Sequence, residues 1–190
     1  MKDHPIILGI DDATFNLKSG NTDTYLIGVI CQGTRMVKVQ KQRIKIDGDN
    51  STEKIIKLVK ENEDFVQYIL THTITFGGFN IMDLKQVNTQ TQKPIVAVTE
   101  REVDMEAVKF ALKKKYPESY SQKVEKITNA GKLYQMKIKT SGGYSPIYYH
   151  KTGISIKKAE ILLRKSSMDS KLPEPIRMAH LIGRIFKPKE

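Results

Sequence analysis

Apolar and polar positions divide this chain into a series of short elements. Ile6-Ile7-Leu8-Gly9-Ile10 is apolar throughout and ends at Asp11-Asp12-Ala13. A run apolar on both faces predicts a central strand, buried on both sides. Ser19-Gly20-Asn21 reads as a turn, and Tyr25 to Cys31 as a second internal strand. Gly33 marks a tight connection to a third strand over Met36 to Asp47. In that strand Val37 and Val39 are odd-numbered but Ile44 and Ile46 even-numbered, which predicts a bulge near Gln40 to Arg43. Its polar residues suit an exposed edge. Short connections make the three strands an antiparallel meander.

The period then becomes helical. Asn50 or Ser51 can cap a helix carrying Ile55, Ile56, Leu58 and Val59 to about Glu61. Phe65 to Leu70 is a fourth strand, running into Thr71-His72-Thr73-Ile74. Phe76-Gly77-Gly78-Phe79-Asn80 is expected to open a second helix through about Val87. Pro94 to Val98 is short and apolar, hence a fifth strand, buried and parallel. Asp104 begins a helix. Beyond Tyr116 the pattern gives a half-buried strand over Leu133 to Thr140, a turn at Gly142-Gly143, and a strand or loop over Tyr144 to His150. A helix follows over Ser155 to Lys165, with Ile156, Ala159, Ile161, Leu162 and Leu163 inward. A last helix starts at Pro173-Glu174-Pro175, with Ile176, Ala179, Leu181, Ile182 and Ile185 on its apolar face.

Composition narrows the function. At 190 residues and 39% hydrophobic, the chain supports one cored domain spanning 1–190, its basic half from about 116 added to the core. The net charge of +11 is uneven: residues 1–95 carry 12 basic and 11 acidic side chains, residues 96–190 carry 20 and 10. Such a half attracts polyanions, nucleic acid first. No apolar stretch approaches the roughly 18 residues of a membrane span, and the N-terminus lacks a signal-peptide pattern. The single cysteine, Cys31, lies in an apolar run and excludes a disulfide framework within the chain. A cytoplasmic setting, no membrane and no obligate protein partner are the expectations.

Three antiparallel strands, then helix, strand, helix, strand and further helices, is the order of the ribonuclease-H-like α/β fold: a mixed five-stranded sheet flanked by helices. In that fold acids from the first strand and its neighbours converge on Mg²⁺ or Mn²⁺, hard ions suited to carboxylate oxygen. Asp11, Asp12, Asp47, Asp83 and Glu174 are candidates by position. Each also has a structural reading, such as a turn residue for Asp47 or a first-turn acid for Glu174.

Several stretches carry a resemblance: Leu8-Gly9-Ile10-Asp11-Asp12-Ala13, Ile46 to Thr52, Ile74-Thr75-Phe76-Gly77-Gly78-Phe79-Asn80-Ile81-Met82-Asp83, Pro94 to Val98, and Pro173-Glu174-Pro175-Ile176-Arg177-Met178-Ala179-His180-Leu181-Ile182-Gly183. In this order they resemble the archaeal endonuclease dU family, relatives of endonuclease V. The resemblance implies a metal-dependent endonuclease acting on DNA, or RNA, with deaminated bases such as uracil or hypoxanthine. It makes Asp11 and Asp47 metal ligands, with Asp12 as a neighbour or reserve. One departure stands out. Where the family pattern resembles Leu-Leu-Asp-Gly-Ile-Thr, this chain has Leu70-Thr71-His72-Thr73-Ile74-Thr75. His72 therefore joins an altered site, serves as a general base, or marks a site that no longer turns over; Asp12 or Asp83 is a substitute acid. A nucleic-acid-binding relative with weakened or lost catalysis is the alternative. Gly77, Gly78 and Asn80 are candidate phosphate or base contacts. Lys139, Tyr148 and Lys151 are candidate strand contacts, and Asp83, Glu174 and His180 candidate support.

Overall fold

The computed structural model describes residues 2–16 and 20–186. Of the expected Ser19-Gly20-Asn21 turn, Ser19 lies outside the described residues; Gly20 occupies a turn at φ +73°. Three strands form the meander: β1 (Ile6–Asp12), β2 (Asp23–Gln32) and β3 (Arg35–Lys45). There follow α1 (Ser51–Lys60), β4 (Tyr68–His72), a hairpin of β5 (Thr75–Phe76) and β6 (Asn80–Ile81), α2 (Leu84–Thr91) and β7 (Ile95–Thr99). The remainder is α3 (Met105–Lys115), α4 (Tyr120–Asn129), β8 (Tyr134–Thr140), β9 (Gly143–Thr152), α5 (Ile156–Ser166) and α6 (Glu174–Gly183). The main sheet has seven strands in the order β3-β2-β1-β4-β7-β9-β8. β1 pairs antiparallel with β2 and parallel with β4, β4 is parallel to β7, and β9 returns antiparallel to β7.

The expected strand order is present, and the sheet is larger than the five strands anticipated. Tyr144 to His150 forms a strand that inserts between β7 and β8, which supplies strands six and seven. β4 starts at Tyr68, because Phe65 lies in a turn. The bulge falls elsewhere too. Ile30 faces Lys38 while Cys31 faces Met36, so Val37 is the extra residue. Beyond it Lys38, Gln40, Gln42 and Ile44 share one face, where Lys38 and Gln40 bond Asn62 and Leu58 under α1. The stretch from Phe76 to Asn80 is a hairpin loop and not a helix entry; Gly77 and Gly78 take φ of +52° and +87° there, which glycine allows without strain. α2 starts later, with Asp83 as its cap. Ile156, Ile161, Leu181 and Ile185 are exposed, so the inner faces of α5 and α6 are narrower than expected.

Alternation along β1 assigns its two faces. Leu8 and Ile10 enter the core with α1 and α2. Ile7 enters the opposite core with α5 and α6, where Ile176 and Leu162 pack. By the same parity Asp12 belongs to the α1 side and Asp11 to the α6 side. α3 and α4 cover the hairpin through Leu112, Ile127 and Ile81.

α6 lies directly on β1. A Cβ on Gly9 would come within 2.2 Å of the Pro175 carbonyl carbon, and one on Gly183 within 2.7 Å of the Asp12 carbonyl oxygen. The two elements keep step. Eight helical residues from Pro175 to Gly183 span about 12 Å, and four strand residues from Gly9 to Ala13 about 13 Å. Five residues along the helix, at about 7.5 Å, stands His180. Two residues along the strand, at about 6.6 Å, stands Asp11. The glycine contacts thus set these two side chains opposite each other. Gly9→Ala must push α6 off the strand and is expected to cost about 3 kcal/mol or more in urea denaturation, whereas Gly142→Ala, whose Cβ meets nothing closer than 3.9 Å, leaves stability unchanged.

Candidate active site

At the carboxyl ends of β1 and β4, one carboxylate is gripped by two imidazoles. Asp11 is 3% exposed, deep beside α6. His72, from the adjacent end of β4, places Nδ1 3.2 Å from each Asp11 oxygen. His180, from α6, places Nδ1 2.8 Å from Asp11 Oδ2. An ionised carboxylate only accepts, so each Nδ1 carries the proton and donates it. The rings meet edge to face with centroids 6.0 Å apart. Burial pulls the His72 imidazole down, but the hydrogen bond and charge of Asp11, helped by Glu100 and Asp12, hold it above its ordinary value. The ligand atoms of Asp11, His72 and His180 all lie within 4.8 Å of one another; among the described residues no other group of three or more His, Cys, Asp or Glu converges in this way.

The other sequence candidates are placed differently. Asp12 points to the opposite face and accepts the Gly77 N–H at 2.6 Å. Asp47, left-handed at φ +55°, accepts the Phe79 N–H at 2.8 Å, and its own N–H donates to the Gly77 carbonyl. Two carboxylates thus hold the Gly77-Gly78-Phe79 loop from its two ends. The buried ammonium of Lys123 completes the clamp by donating to Phe79 O at 2.6 Å and Gly48 O at 3.0 Å. Asn80 is wholly buried; it accepts from Ser51 N–H and donates to Lys45 O and Asn50 Oδ1, so it ties the hairpin to the start of α1. Asp83 accepts the Gln86 N–H and an Asn129 amide proton. Glu174 forms a forked pair with Arg177 at 2.7–3.0 Å, about 9 Å along α6 from His180.

Thr73, beside His72, takes φ +61°, a conformation costing a β-branched residue on the order of 1–3 kcal/mol. It is held by a bond from its N–H to Val98 O and one from its hydroxyl to Thr75 O. Glycine would adopt it freely. A cavity of about 300 Å³, mostly apolar, lies on the α3–α4 side of this edge, lined by Thr73, Thr75, Gly78, Phe79, Thr99, Met105 and His150 among others. A shallower depression of about 250 Å³ runs along Asp12, Thr14, Phe15, His180 and Arg184.

β9 pairs Tyr148 with Thr99, the last residue of β7, so its residues 143–147 and their β8 partners overhang the carboxyl edge by about 17 Å. Alternation puts Lys137, Lys139, Tyr144 and Tyr148 on one face of this ribbon. Lys151 is on the other, its ammonium 5.5 Å from the Tyr134 ring centre. Cys31 is buried, and burial pushes its thiol up to about 11, which makes it inert. Lys123, Thr73 and the central place of His180 were not anticipated. A lysine in a polar stretch carries no sign of burial. For His180 a signal existed: it sits three residues before Gly183, on the flank of the buried face formed by Ile176, Ala179 and Gly183.

A mixed sheet in this order, flanked by helices, is the ribonuclease-H-like fold. The chain superimposes on human endonuclease V with a TM-score of 0.59 at 12% identity, covering 95% of this chain and 83% of the other. It superimposes on Ciona intestinalis endonuclease V, solved with an inosine-containing DNA, with a TM-score of 0.60 at 14% identity over 93% and 82%. A protein of unknown function from Archaeoglobus fulgidus is nearer, with a TM-score of 0.81 at 29% identity over 94% and 96%. The family model of endonuclease dU matches residues 5–186. A UPF0215 protein of Methanocaldococcus jannaschii is 34% identical over 188 residues, covering 98% of this chain and 96% of the relative. One from Nanoarchaeum equitans is 37% identical over 186 residues, 97% and 89%. The chain belongs to the endonuclease dU family. No helix among the described residues is long and apolar enough to cross a membrane.

Asp12 gives a pH test. Burial, then the charge of Asp11, raises its carboxyl from 3.8 to about 6 against the pull of the Gly77 N–H. The folded state therefore favours the neutral acid. Stability is fullest below about pH 4 and falls as pH rises through 6, by up to about 3 kcal/mol from this group. Asp12→Asn keeps an oxygen for Gly77 and removes that loss. In EDTA, the variant's stability relative to the parent is expected to rise between pH 4.5 and 7.5 in urea titrations; a flat difference refutes the assignment.

Proposed function

We propose that this protein is a metal-dependent endonuclease that cuts nucleic acid near deaminated bases, uracil or hypoxanthine. The observation that carries the reading is the buried Asp11 at the carboxyl end of the central strand, held by His72 and His180. Asp11, His72 and His180 would hold the divalent ion; Mg²⁺ or Mn²⁺ is the pair the family resemblance implies. When bound, such an ion supplies an activated water and charge stabilisation for the leaving oxygen. The chain's own residues would do the rest. The cavity of about 300 Å³ has the volume and apolar lining to take an extruded base. It adjoins the cluster through Thr73, and the clamped Gly77-Gly78-Phe79 loop gives it a firm wall. Burial lowers the affinity of His150 for a proton, so its ring, bonded through Nδ1 to Gly131 O, meets the base as a neutral group. Arg184, beside His180 in the depression, would take a phosphate. Lys139 and Tyr148, with Lys137 and Tyr144, would track the backbone along the overhanging ribbon. A role in DNA repair and a cytoplasmic location fit this reading, and RNA is a further substrate to test.

A second reading has its own observation. His72 stands where the family resemblance implies an acid, and both its contacts to Asp11 are hydrogen bonds that satisfy the carboxylate without an ion. In that case the protein binds nucleic acid and cuts it slowly or not at all. The readings separate on uracil- and hypoxanthine-containing duplexes. The first expects nicking with Mn²⁺, abolished by Asp11→Ala. The second expects salt-sensitive binding without nicking in either metal, and Mg²⁺-dependent cleavage in His72→Asp. In both, replacing Lys137 and Lys139 by Ala is expected to weaken binding on all sequences and to reduce the salt slope by about 2. An unchanged slope removes the ribbon from the interface.

A further inference from the structure

We infer that Asp11, His72 and His180 form a two-imidazole, one-carboxylate site that takes a borderline divalent transition ion, of the Zn²⁺ and Co²⁺ class, and discriminates against Mg²⁺. The inference rests on the nuclease reading for the purpose of the site and specifies its ion. The argument is geometric first. Around an ion with bonds of about 2.1 Å, neighbouring donors stand about 3.0 Å apart at right angles and about 3.4 Å apart at tetrahedral angles. The spacings here are 3.2 Å from His72 Nδ1 to either Asp11 oxygen and 2.8 Å from His180 Nδ1 to Asp11 Oδ2. These already have the size of the edges of a coordination polyhedron. The third pair, the two imidazole donors, lies within 4.8 Å, so side-chain rotations that turn both Nδ1 atoms to one ion would replace the two Nδ1 protons, which are released to solvent.

The chemistry of the donors selects the ion. Two neutral imidazoles and one carboxylate offer two nitrogens and one negative charge. Mg²⁺ favours oxygen, keeps its waters and is held by carboxylates. The acids that would supply more oxygen are engaged elsewhere: Asp12 on the Gly77 N–H and Asp47 on the Phe79 N–H. Zn²⁺, Co²⁺ and Ni²⁺ bind imidazole well, and the usual affinity order puts all three above Mn²⁺. The mixture of exposures gives the site its type. The Asp11 side chain is 4% exposed and that of His180 41%. The ion would be anchored from the buried side and open to solvent on the other, with positions left for water or a phosphate oxygen, as in catalytic and not structural sites. Backbone order supports the site from beneath. β1 and β4 are adjacent parallel strands, and α6 is fixed in step with β1 by Gly9 and Gly183. All three donors therefore sit on regular elements.

The test uses tag-free protein stripped with EDTA and no nucleic acid, so it is independent of whether the protein cuts. Zn²⁺, Co²⁺, Mn²⁺ and Mg²⁺ are titrated separately by calorimetry, and the Co²⁺ form is read by its visible ligand-field bands. One equivalent of Zn²⁺ or Co²⁺ is expected to bind at least about tenfold more tightly than Mn²⁺, with Mg²⁺ weaker still. His72→Ala and His180→Ala, checked for folding by circular dichroism, should each weaken Co²⁺ by at least about tenfold and change the bands. His72→Asp should lower Co²⁺ affinity and raise that for Mg²⁺. Co²⁺ binding that survives both alanine variants, or Mg²⁺ binding as tight as Co²⁺, overturns the inference. Absence of nicking with the Co²⁺ site intact would instead refute the nuclease reading alone.

Discussion

The contact between α6 and β1 is the constraint on which the site depends. Two backbones approach so closely that a single methyl group at Gly9 or Gly183 would overlap a carbonyl. That closeness does more than bury surface. It fixes the axial register of a helix on a strand, which side-chain packing alone leaves adjustable by a residue or so. With the register fixed, His180 meets Asp11 and not Gly9 or Ala13. The parallel pairing of β1 with β4 sets the second contact, because Ile10 lies opposite Thr71 and so brings Asp11 beside His72. A loop-borne histidine would reach the same carboxylate only at a larger cost in ordering entropy.

The acids of this edge divide their work by strand parity. Asp11 and Asp12 are neighbours in sequence but lie on opposite faces, so one is available to the imidazoles while the other holds the hairpin. Their charges still interact. The Asp11 charge helps raise the Asp12 carboxyl, and His72 on the far side offsets part of that effect. Asp47 and Lys123 stabilise the hairpin from the other end, through one backbone N–H and two backbone carbonyls. A loop rich in glycine would otherwise be free to open. Clamped at Gly77 and Phe79, it forms a fixed wall for the cavity beside the site.

Much of the fold was legible because burial leaves a clear mark on sequence. β1, β2 and β7 are apolar on both faces, and only a central strand needs that. α3 and α5 announce themselves by period and cap, and α1 by period alone: Asn50 stands at its N-cap, but its side chain accepts from Lys45 N–H and the Asn80 amide and makes no cap bond. The less legible parts depend on partners distant in the chain. β9 is half-buried and polar at alternate positions, so its place between β7 and β8 comes from pairing and not from its own composition. The Phe76 to Asn80 stretch carries the glycines of a helix entry and of a hairpin alike; the bonds from Asp12 and Asp47 decide for the hairpin. In the site, Asp11 could be read from the end of a buried strand. The grouping of His72 with His180 could not, since 108 positions separate them and only the register of α6 joins them.

Positions 72 and 73 are best understood together. Thr73 retains the left-handed backbone that glycine would take at no cost, and it does so against the preference of a β-branched side chain. The strain is offset locally by two hydrogen bonds, one from its hydroxyl to the Thr75 carbonyl and one from its N–H to a β7 carbonyl. The turn geometry is therefore held by these bonds against the preference of the side chain itself. That matters for His72. Its backbone is delivered to the strand end beside Asp11, so an imidazole and not a carboxylate faces the aspartate there. Replacing a carboxylate by imidazole there would leave a cluster short of negative charge if the site still required a hard, oxygen-loving ion. With His180 already against Asp11, the same replacement instead completes a nitrogen-rich pair around a single buried carboxylate. The electrostatic cost of burying Asp11 is then met by two imidazole donors, or by an ion held between them, without a second acid at that edge.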